Sequence, residues 1–328
     1  MAQIPRAAID YLTEQVNAIS ADAQAKVLRV LEGIEWTPEN VADCRDIVVG
    51  ALLSALPAYA DAAAQAAADF YDSCRELCAG EAMGAAALSG FDAAAVEGAV
   101  RAIVQGVVDG GPVDRFEREV LARVDHETKK AAANSVVANT GSDPLKPRWA
   151  RVPSGAETCK FCLMLASRGF VYLSEQTAEG MYHGHPGCDC RIVPGWEGDA
   201  VEGYDPDELY FEWKGRERFR IPEAKLTGYA LNMDHPKGRD KAIAFREALG
   251  FTDDDAAEIM RQVYRWVGEH EPVFAKSDQH GDRYTTSMEM VGKNGRTARV
   301  TVGWIKDPGE DKMRLTSIYV SKRKGVKS

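Results

Sequence analysis

The chain lacks the marks of export and of membrane anchorage. Its N-terminus, "MAQIPRAAIDYLTEQ", has no apolar run behind basic residues, so no signal peptide is expected and synthesis is placed in the cytosol. No uninterrupted apolar stretch reads as long enough to span a bilayer, and no membrane partner is expected. A Gly-rich phosphate loop, a Ser–His–Asp order and an H-E-x-x-H are all missing, which excludes P-loop, triad and zincin chemistry. There is no fixed-period repeat, which excludes a solenoid. Histidine is scarce, at 6 residues, and cysteine numbers 7. Four of those cysteines and two of the histidines crowd into one stretch, "ETCKFCLMLASRGFVYLSEQTAEGMYHGHPGCDCRIVPGW".

The charge is divided unevenly. The net value is −10, yet residues 225–328 hold 19 Lys+Arg against 15 Asp+Glu, leaving 21 against 35 in residues 1–224. Such asymmetry points to different partners for the two parts. The acidic part argues against non-specific DNA binding by the whole molecule, whereas the C-terminal part can approach a polyanion.

Residues 1–110 are rich in alanine and poor in strand formers. Apolar residues three and four apart predict helices over "QIPRAAIDYLTEQVNAISADAQAKVLRVLEGI", "TPENVADCRDIVVGALLSALPAYADAAAQAAADFYDSCRELC", "FDAAAVEGAVRAIVQGVVDGG" and "DRFEREVLARVDHETKKAAANSVVANTGS". Thr37 is placed as an N-cap with Pro38 at the first helical position, and Pro57 is expected to kink or break its helix. Gly110, Gly111 and Pro112 should close the third helix. Cys74 and Cys78, four apart, read as small residues in a helix interface, and His126 as a solvated residue. Beyond Pro144 helical periodicity fades, and residues 201–224 read as a connector with a short helix or two. Residues 225–321 read as an α+β domain. It has a helix in "HPKGRDKAIAFREALG", another opened by Thr252 and Asp255 at capping-box spacing, then three strands, "RYTTSMEMV", "RTARVTVGWI" and "MRLTSIYVS". "GKNG" joins the first two as a hairpin. Residues 322–328 form a basic tail.

Cytosolic thiols stay reduced, so clustered cysteines favour a metal over disulfides. A structural zinc needs four ligands, commonly from two close pairs. Cys159 and Cys162 supply one pair. His185 with Cys188 supplies a second, and Cys190 can replace either; His183 is a weaker donor. A closed site of this kind leaves no position for water, so its role is structural. The competing readings are buried thiols without metal, or a disulfide if the protein later leaves the cell.

At these residues the chain resembles a known family. The strings "RWARVPSGAETCKFC" and "YHGHPGCDCRIVPGW" look like the MuF-like head-morphogenesis domain of tailed phages, with Cys159, Cys162, His185, Pro186, Cys188, Cys190 and Pro194 at its motif positions. The likeness is specific over residues 151–196 and diffuse over the helices before them. An insert, "LMLASRGFVYLSEQTAEGMY", separates the motif halves. The resemblance implies a minor head protein that meets portal and capsid proteins in the host cytoplasm during assembly and then resides in the virion head. Some such proteins are delivered into the host with the DNA. The implied fold class is a multidomain α+β chain: a helical N-terminal region (1–115), a small zinc-knuckle-like Cys/His core (116–200), a connector (201–224) and an α+β domain with an antiparallel sheet (225–321).

The C-terminal part, through "KLTGYALNMDHPKGRDKAIAF", "NGRTARVTVGWI" and "RLTSIYV", resembles the barnase/EndoU/colicin/RelE group of metal-independent ribonucleases, which occur as toxin domains. RNA cleavage without a metal needs a base for the ribose 2′-OH, an acid for the leaving oxygen, and cations for the phosphoryl charge. His235 lies beside a turn followed by Lys237, Arg239 and Lys241. Lys241 on the ensuing helix can share a cleft with it. Arg314 and Thr316 alternate to one face of the last strand, and Thr301 with Gly303 share a face of its neighbour. RNA is then a partner, with an immunity protein as a second, and catalysis needs no cofactor. Against this stand readings of "DHPKG" as a turn in which His235 sets helix entry, of Arg314 as the partner of a surface carboxylate, and of Trp304 and Trp266 as core. Two rivals remain: a purely structural head protein whose C-terminal domain only binds a partner, and a free polymorphic toxin.

Overall fold

The structure is a computed structural model that describes residues 2–37, 40–155, 158–173, 188, 190–198 and 200–321. Two compact units divide the chain, Met1–Tyr204 and Asp205–Ser328.

In the first unit β1 (Gln3–Ile4) leads into the long helices α1 (Arg6–Leu31) and α2 (Val41–Ala79), followed by α3 (Ala93–Val108) and α4 (Val113–Ser142). The helices form where the apolar spacing predicts. Asp92 caps α3 by accepting from Ala95 N at 3.0 Å. Gly110, at φ +88°, closes that helix. Gly111 N donates to Gly106 O and Gly110 N to Val107 O, the paired bonds of a Schellman stop. Two cores share these helices. Val27, Leu31, Leu52, Leu56, Val100 and Val120 fill the end that includes α3. At the other end Leu12, Val16, Ala63, Ala67, Tyr71 and Val136 close around a small sheet.

Two expectations change here. The α2 helix is not broken at Pro57; it continues with that proline inside it. Pro57 falls where α2 passes from one core to the other, and buried Leu52 and Leu56 before it and Ala60 and Ala63 after it hold both flanks. The helix begins at Val41, and Asn40 Oδ1 accepts from Thr37 N at 2.8 Å, so Thr37 is not its cap. By length and composition α2 is also apolar enough to cross a membrane, although Asp46 and Asp61 keep it from being an uninterrupted apolar run. Alanine supplies much of that hydropathy, and the buried small side chains Ala60, Ala63, Ala64 and Ala67 let neighbouring helices approach closely.

The region after Pro144 is more regular than its sequence suggests. Strand β2 (Arg148–Pro153) pairs antiparallel with β3 (Cys190–Gly195), in register from Arg148 opposite Gly195 to Pro153 opposite Cys190. Every residue of β3 is buried. A strand covered on both faces shows no polar–apolar alternation, which is why periodicity missed it. A short helix, α5 (Lys160–Ala166), lies between them, and β4 (Ala200–Val201) pairs parallel with β1. Helix α4 spans both cores, so no boundary falls near residue 115.

The second unit opens with α6 (Pro206–Arg218) and β5 (Phe219–Arg220), within the segment read as a connector. Asp205 caps α6 through Asp207 N and Glu208 N. Turns over 223–230 lead to α7 (Arg239–Leu249) and α8 (Ala256–Glu269), then β6 (Val273–Asp278), β7 (Gly281–Val291), β8 (Thr297–Lys306) and β9 (Met313–Val320). The sheet order is β5-β9-β8-β7-β6. The three predicted strands form its centre; β6 and β5 are additions at its edges, and β5 lies parallel to β9. The Asp255 carboxylate accepts from Thr252 N and Oγ1, the capping box expected at that spacing. Gly292 N donates to Arg296 O at 2.7 Å in the expected hairpin, where Gly295 takes φ +73°. Phe245, Ile259, Val263, Met288, Val302 and Trp304 form the core between the helices and one sheet face.

Candidate functional site

Pairing of β2 with β3 carries Cys190 and, just before it, Cys188 to the start of α5. There Cys162, Cys188 and Cys190 form a buried cluster whose sulfurs all lie within 4.8 Å of one another. Cys162 Sγ and Cys188 Sγ are 3.3 Å apart, far beyond a disulfide bond of about 2.05 Å. Cys159 caps α5, its Sγ accepting from Cys162 N at 3.3 Å, and is exposed. His183, His185 and Pro186 lie outside the described residues.

Positive groups surround the cluster. Buried Arg151 reaches Cys188 Sγ at 3.6 Å. Buried Arg191 donates to Asn17 Oδ1 at 3.0 Å. Beside Cys188 and Cys190 a cavity of about 20 Å³, room for one water, is lined by His126, Lys129, Arg151 and Arg191. His126 is therefore buried and not solvated, because α4 turns that face toward β3. Hydrogen bonds from Cys162 and then Cys190 hold the Cys188 thiol far below its usual range, with Arg151 adding to the effect. Hydrogen bonding to Cys188 pushes Cys162 up, and hydrogen bonding to Cys162 and then to Cys188 pushes Cys190 up.

This donor set fits a tetrahedral thiophilic ion. Zinc–sulfur bonds of about 2.3 Å place two ligand sulfurs about 3.8 Å apart. The three thiols can therefore offer three corners to a metal ion, and Cys159 and His185 remain the sequence candidates for a fourth. The inward arginines of "RWARVP" and "CRIVPGW" were the missed signal. They are charged residues in strands buried on both faces, and buried charges need polar partners to hold them.

In the second unit, His235 stands at the turn into α7. Its Nδ1 accepts from Lys237 N at 3.2 Å and Gly238 N at 3.0 Å, so the neutral ring carries its proton on Nε2. The ring meets Tyr229 edge-on at 4.9 Å. Lys241 Nζ lies 4.7 Å from the centre of the Tyr229 ring and 5.8 Å from that of Tyr319. Burial holds the Lys241 ammonium below its usual value, and Lys225 adds to this. The structure therefore brings His235 and Lys241 to one aromatic-lined corner. Tyr229 and Tyr319 were missed, although Tyr319 is an exposed aromatic on a strand.

Thr316 lies at an irregularity. Gly303 pairs with Ser317 and Trp304 with Leu315, leaving Thr316 as the extra residue. A β-carbon on Gly303 would approach both Ser317 Oγ and Thr316 Oγ1, so the two hydroxyls flank a bare stretch of backbone. Arg314 is not brought to this corner. It forms a two-pronged ion pair with Asp307, both bonds 3.0 Å, toward the other end of β9. Trp304 is core, its Nε1 donating to Thr286 Oγ1.

Fold and sites together define a two-unit α+β protein, with a thiol cluster in its helical unit and a polar, aromatic-edged sheet in the other. The chain belongs to the VG15 protein family, whose model matches residues 3–215. Residues 213–322 match a domain of unknown function, DUF6883. The Gene 15 protein of Mycobacterium phage D29 is 30% identical over 112 residues, covering 23% of this chain and 41% of the relative. The Gene 15 protein of Mycobacterium phage L5 is 30% identical over 133 residues, covering 29% and 45%. Each match thus spans less than half of the relative's length. No solved structure matches the chain. The matches support a phage protein of unspecified role.

Proposed function

We propose that the chain is a minor head protein that acts in phage head morphogenesis and carries a metal-independent ribonuclease as its second unit. Its partners are then portal and capsid proteins in the host cytoplasm, and its later residence is the virion head. Membership of the VG15 family and the MuF-like motif around Cys159–Cys190 support the first half. Zinc at Cys162, Cys188 and Cys190 would fasten the α5 segment to β3, with Cys159 or His185 as fourth ligand. Its role is structural.

One observation carries the ribonuclease half: the convergence of His235 and Lys241 on the Tyr229 ring, with Lys241 also reaching Tyr319 of β9. In the proposed reaction the ribose 2′-OH attacks the adjacent phosphorus and the bond to the 5′ oxygen breaks. A 2′,3′-cyclic phosphate and a 5′-OH result. Lys241, whose ammonium is disfavoured by burial, relays the 2′-OH proton to the leaving 5′ oxygen, so that no net proton is needed. His235, with its proton on Nε2, donates a hydrogen bond to a phosphoryl oxygen. Thr316 and Ser317 bind the phosphate across Gly303. Arg314 reaches a phosphate only by releasing Asp307.

That ion pair, and the use of His235 Nδ1 in the turn, favour a second reading: a domain that binds its partner without chemistry. RNA challenged with the purified chain separates the two. The enzyme reading expects chelator-resistant cleavage, cyclic phosphate ends and resistance of 2′-deoxy substrate. Lys241→Ala and His235→Ala should each lower the rate by roughly a hundredfold. RNA left intact by folded protein would remove the enzyme and leave the binding domain.

A further inference from the structure

Strand β7 is longer than its outer neighbour. β6 pairs with it only between Gly281 and Thr285, whereas β8 accompanies it to Val291. Past Thr285 no described strand covers its outer edge. At the far end a side chain of α8 stands in for one. Gln262 Oε1 accepts from Val291 N at 3.0 Å, and Gln262 Nε2 donates to Val291 O at 2.9 Å. Backbone groups of alternate residues point to the same side of an antiparallel strand, and β7 runs without a bulge through this stretch. The N–H and C=O of Ser287 and Glu289 therefore point the same way as those of Val291. They lie in a gap bracketed by Val273 of β6 and the Gln262 carboxamide.

A cleft of about 500 Å³ follows this edge between β7 and α8. Trp266 and Met288 give it apolar walls. Its charged lining is Asp255, Glu258, Glu269 and Glu289 against Arg265 and Lys293. Both cations are already engaged, Arg265 by Glu208 at 2.8 Å and Lys293 by Asp255 at 3.0 Å. Among the described residues Glu289 meets only the exposed Arg299, at 3.3 Å, and Glu258 pairs with Arg261 one helical turn on and accepts from Gln262 Nε2. Exposed pairs of this kind contribute little and exchange readily for a ligand's cation.

We propose that this cleft receives an extended basic peptide by strand addition. The peptide main chain pairs with Ser287 and Glu289, and its lysine or arginine side chains meet Glu258, Glu269 and Glu289. Main-chain hydrogen bonds supply affinity in such sites, and alternate side chains supply selection. A strand edge between β6 and a side-chain amide suits a peptide because donors and acceptors alternate there at strand spacing. The cleft is separate from the His235 corner, and the proposal does not depend on RNA cleavage.

The test uses the full chain titrated calorimetrically with acetyl-Lys-Val-Lys-Val-Lys-amide. Controls are the Glu-Val-Glu-Val-Glu peptide and a backbone N-methylated Lys-Val peptide. Amide exchange across residues 283–291 is followed by mass spectrometry. Saturable binding is expected, with both controls at least about tenfold weaker and exchange at 283–291 slowed by the Lys-Val peptide. Glu269→Lys together with Glu289→Lys, two exposed substitutions, should weaken binding to a similar extent. Absence of saturation, equal binding of the acidic peptide, or binding that leaves exchange at 283–291 unchanged would overturn the proposal. So would concentration-dependent self-association through this edge, which would assign it to a second copy of the chain.

Discussion

Gly268 of α8 and Gly215 of α6 have one role, to let two helices touch along their backbones. A β-carbon on Gly268 would overlap the Phe211 carbonyl, and one on Gly215 the Tyr264 carbonyl. Gly98 of α3 faces open space. The same substitution should therefore act with opposite signs in thermal unfolding. Gly98→Ala is expected to stabilise by about 0.5–1 kcal/mol, through lost unfolded-state freedom. Gly268→Ala should destabilise by about 1–3 kcal/mol or more, through overpacking. A second residue-scale test lies at Asp143, which is fully buried and accepts from Tyr71 Oη and Arg75 Nε, both at 3.0 Å. Burial alone would raise its pKa. The Leu145 backbone N–H, Arg75 and Tyr71 outweigh that and hold it below 3.8. Its stabilising contribution is therefore present in full above about pH 4 and is lost as the pH falls through the lowered value. Asp143→Ala should destabilise the protein at pH 7 in denaturant titration by about 1–3 kcal/mol, because Tyr71 and Arg75 lose a shared buried acceptor while Arg75 keeps Glu81 at 3.7 Å. The difference from wild type should shrink in acid.

At the scale of elements, the β2–β3 pair and α5 depend on one another through the thiol cluster. Elemental analysis of protein purified under reducing conditions should find one zinc per chain. Chelation, or Cys188→Ser, should lower the unfolding temperature of the first unit. Zinc must displace protons from Cys162 and Cys190, so its affinity should fall as the pH is lowered. Metal-free protein that melts no differently after chelation would leave the cluster as hydrogen-bonded thiols. The position of these cysteines in one stretch was legible in the sequence, as was the Cys159–Cys162 spacing. The meeting of Cys162 with Cys188 and Cys190 was also expected, from two close pairs sharing one site; the route by which the chain achieves it was not. It depends on β3 pairing with β2, a contact between segments about forty residues apart that no local pattern encodes.

At the scale of the molecule, the boundary at Tyr204 decides which fragments are viable. Phe219 and Ile221 are buried in the core of the second unit, and α6 lies against α8. A fragment of residues 205–321 should unfold cooperatively. One of residues 225–321, cut where the sequence suggested a domain start, should be unfolded or strongly destabilised, as judged by circular dichroism. Residues 1–204 should enter phage heads if the head-protein reading is right. A folded fragment absent from particles would show that the second unit takes part in docking.

The sequence by itself determined what a few neighbouring residues can dictate. Apolar spacing placed α1 to α4, α7 and α8; Thr252 and Asp255 set the start of α8; "GKNG" set the hairpin; Gly110 and Gly111 stopped α3. Each rests on backbone preferences and hydrogen bonds within a turn or two. Tertiary structure decided the rest. It buried β2 and β3 on both faces and so erased their alternation. It carried α2 through Pro57 by packing both flanks, turned His126 inward beside Cys188, and recruited α6 and β5 from an apparent connector through contacts at Gly215 and Phe219. It also set His235 and Lys241 against Tyr229 while tying Arg314 to Asp307. These outcomes depend on which distant surfaces bury one another, and a stretch of chain read alone does not contain its partner.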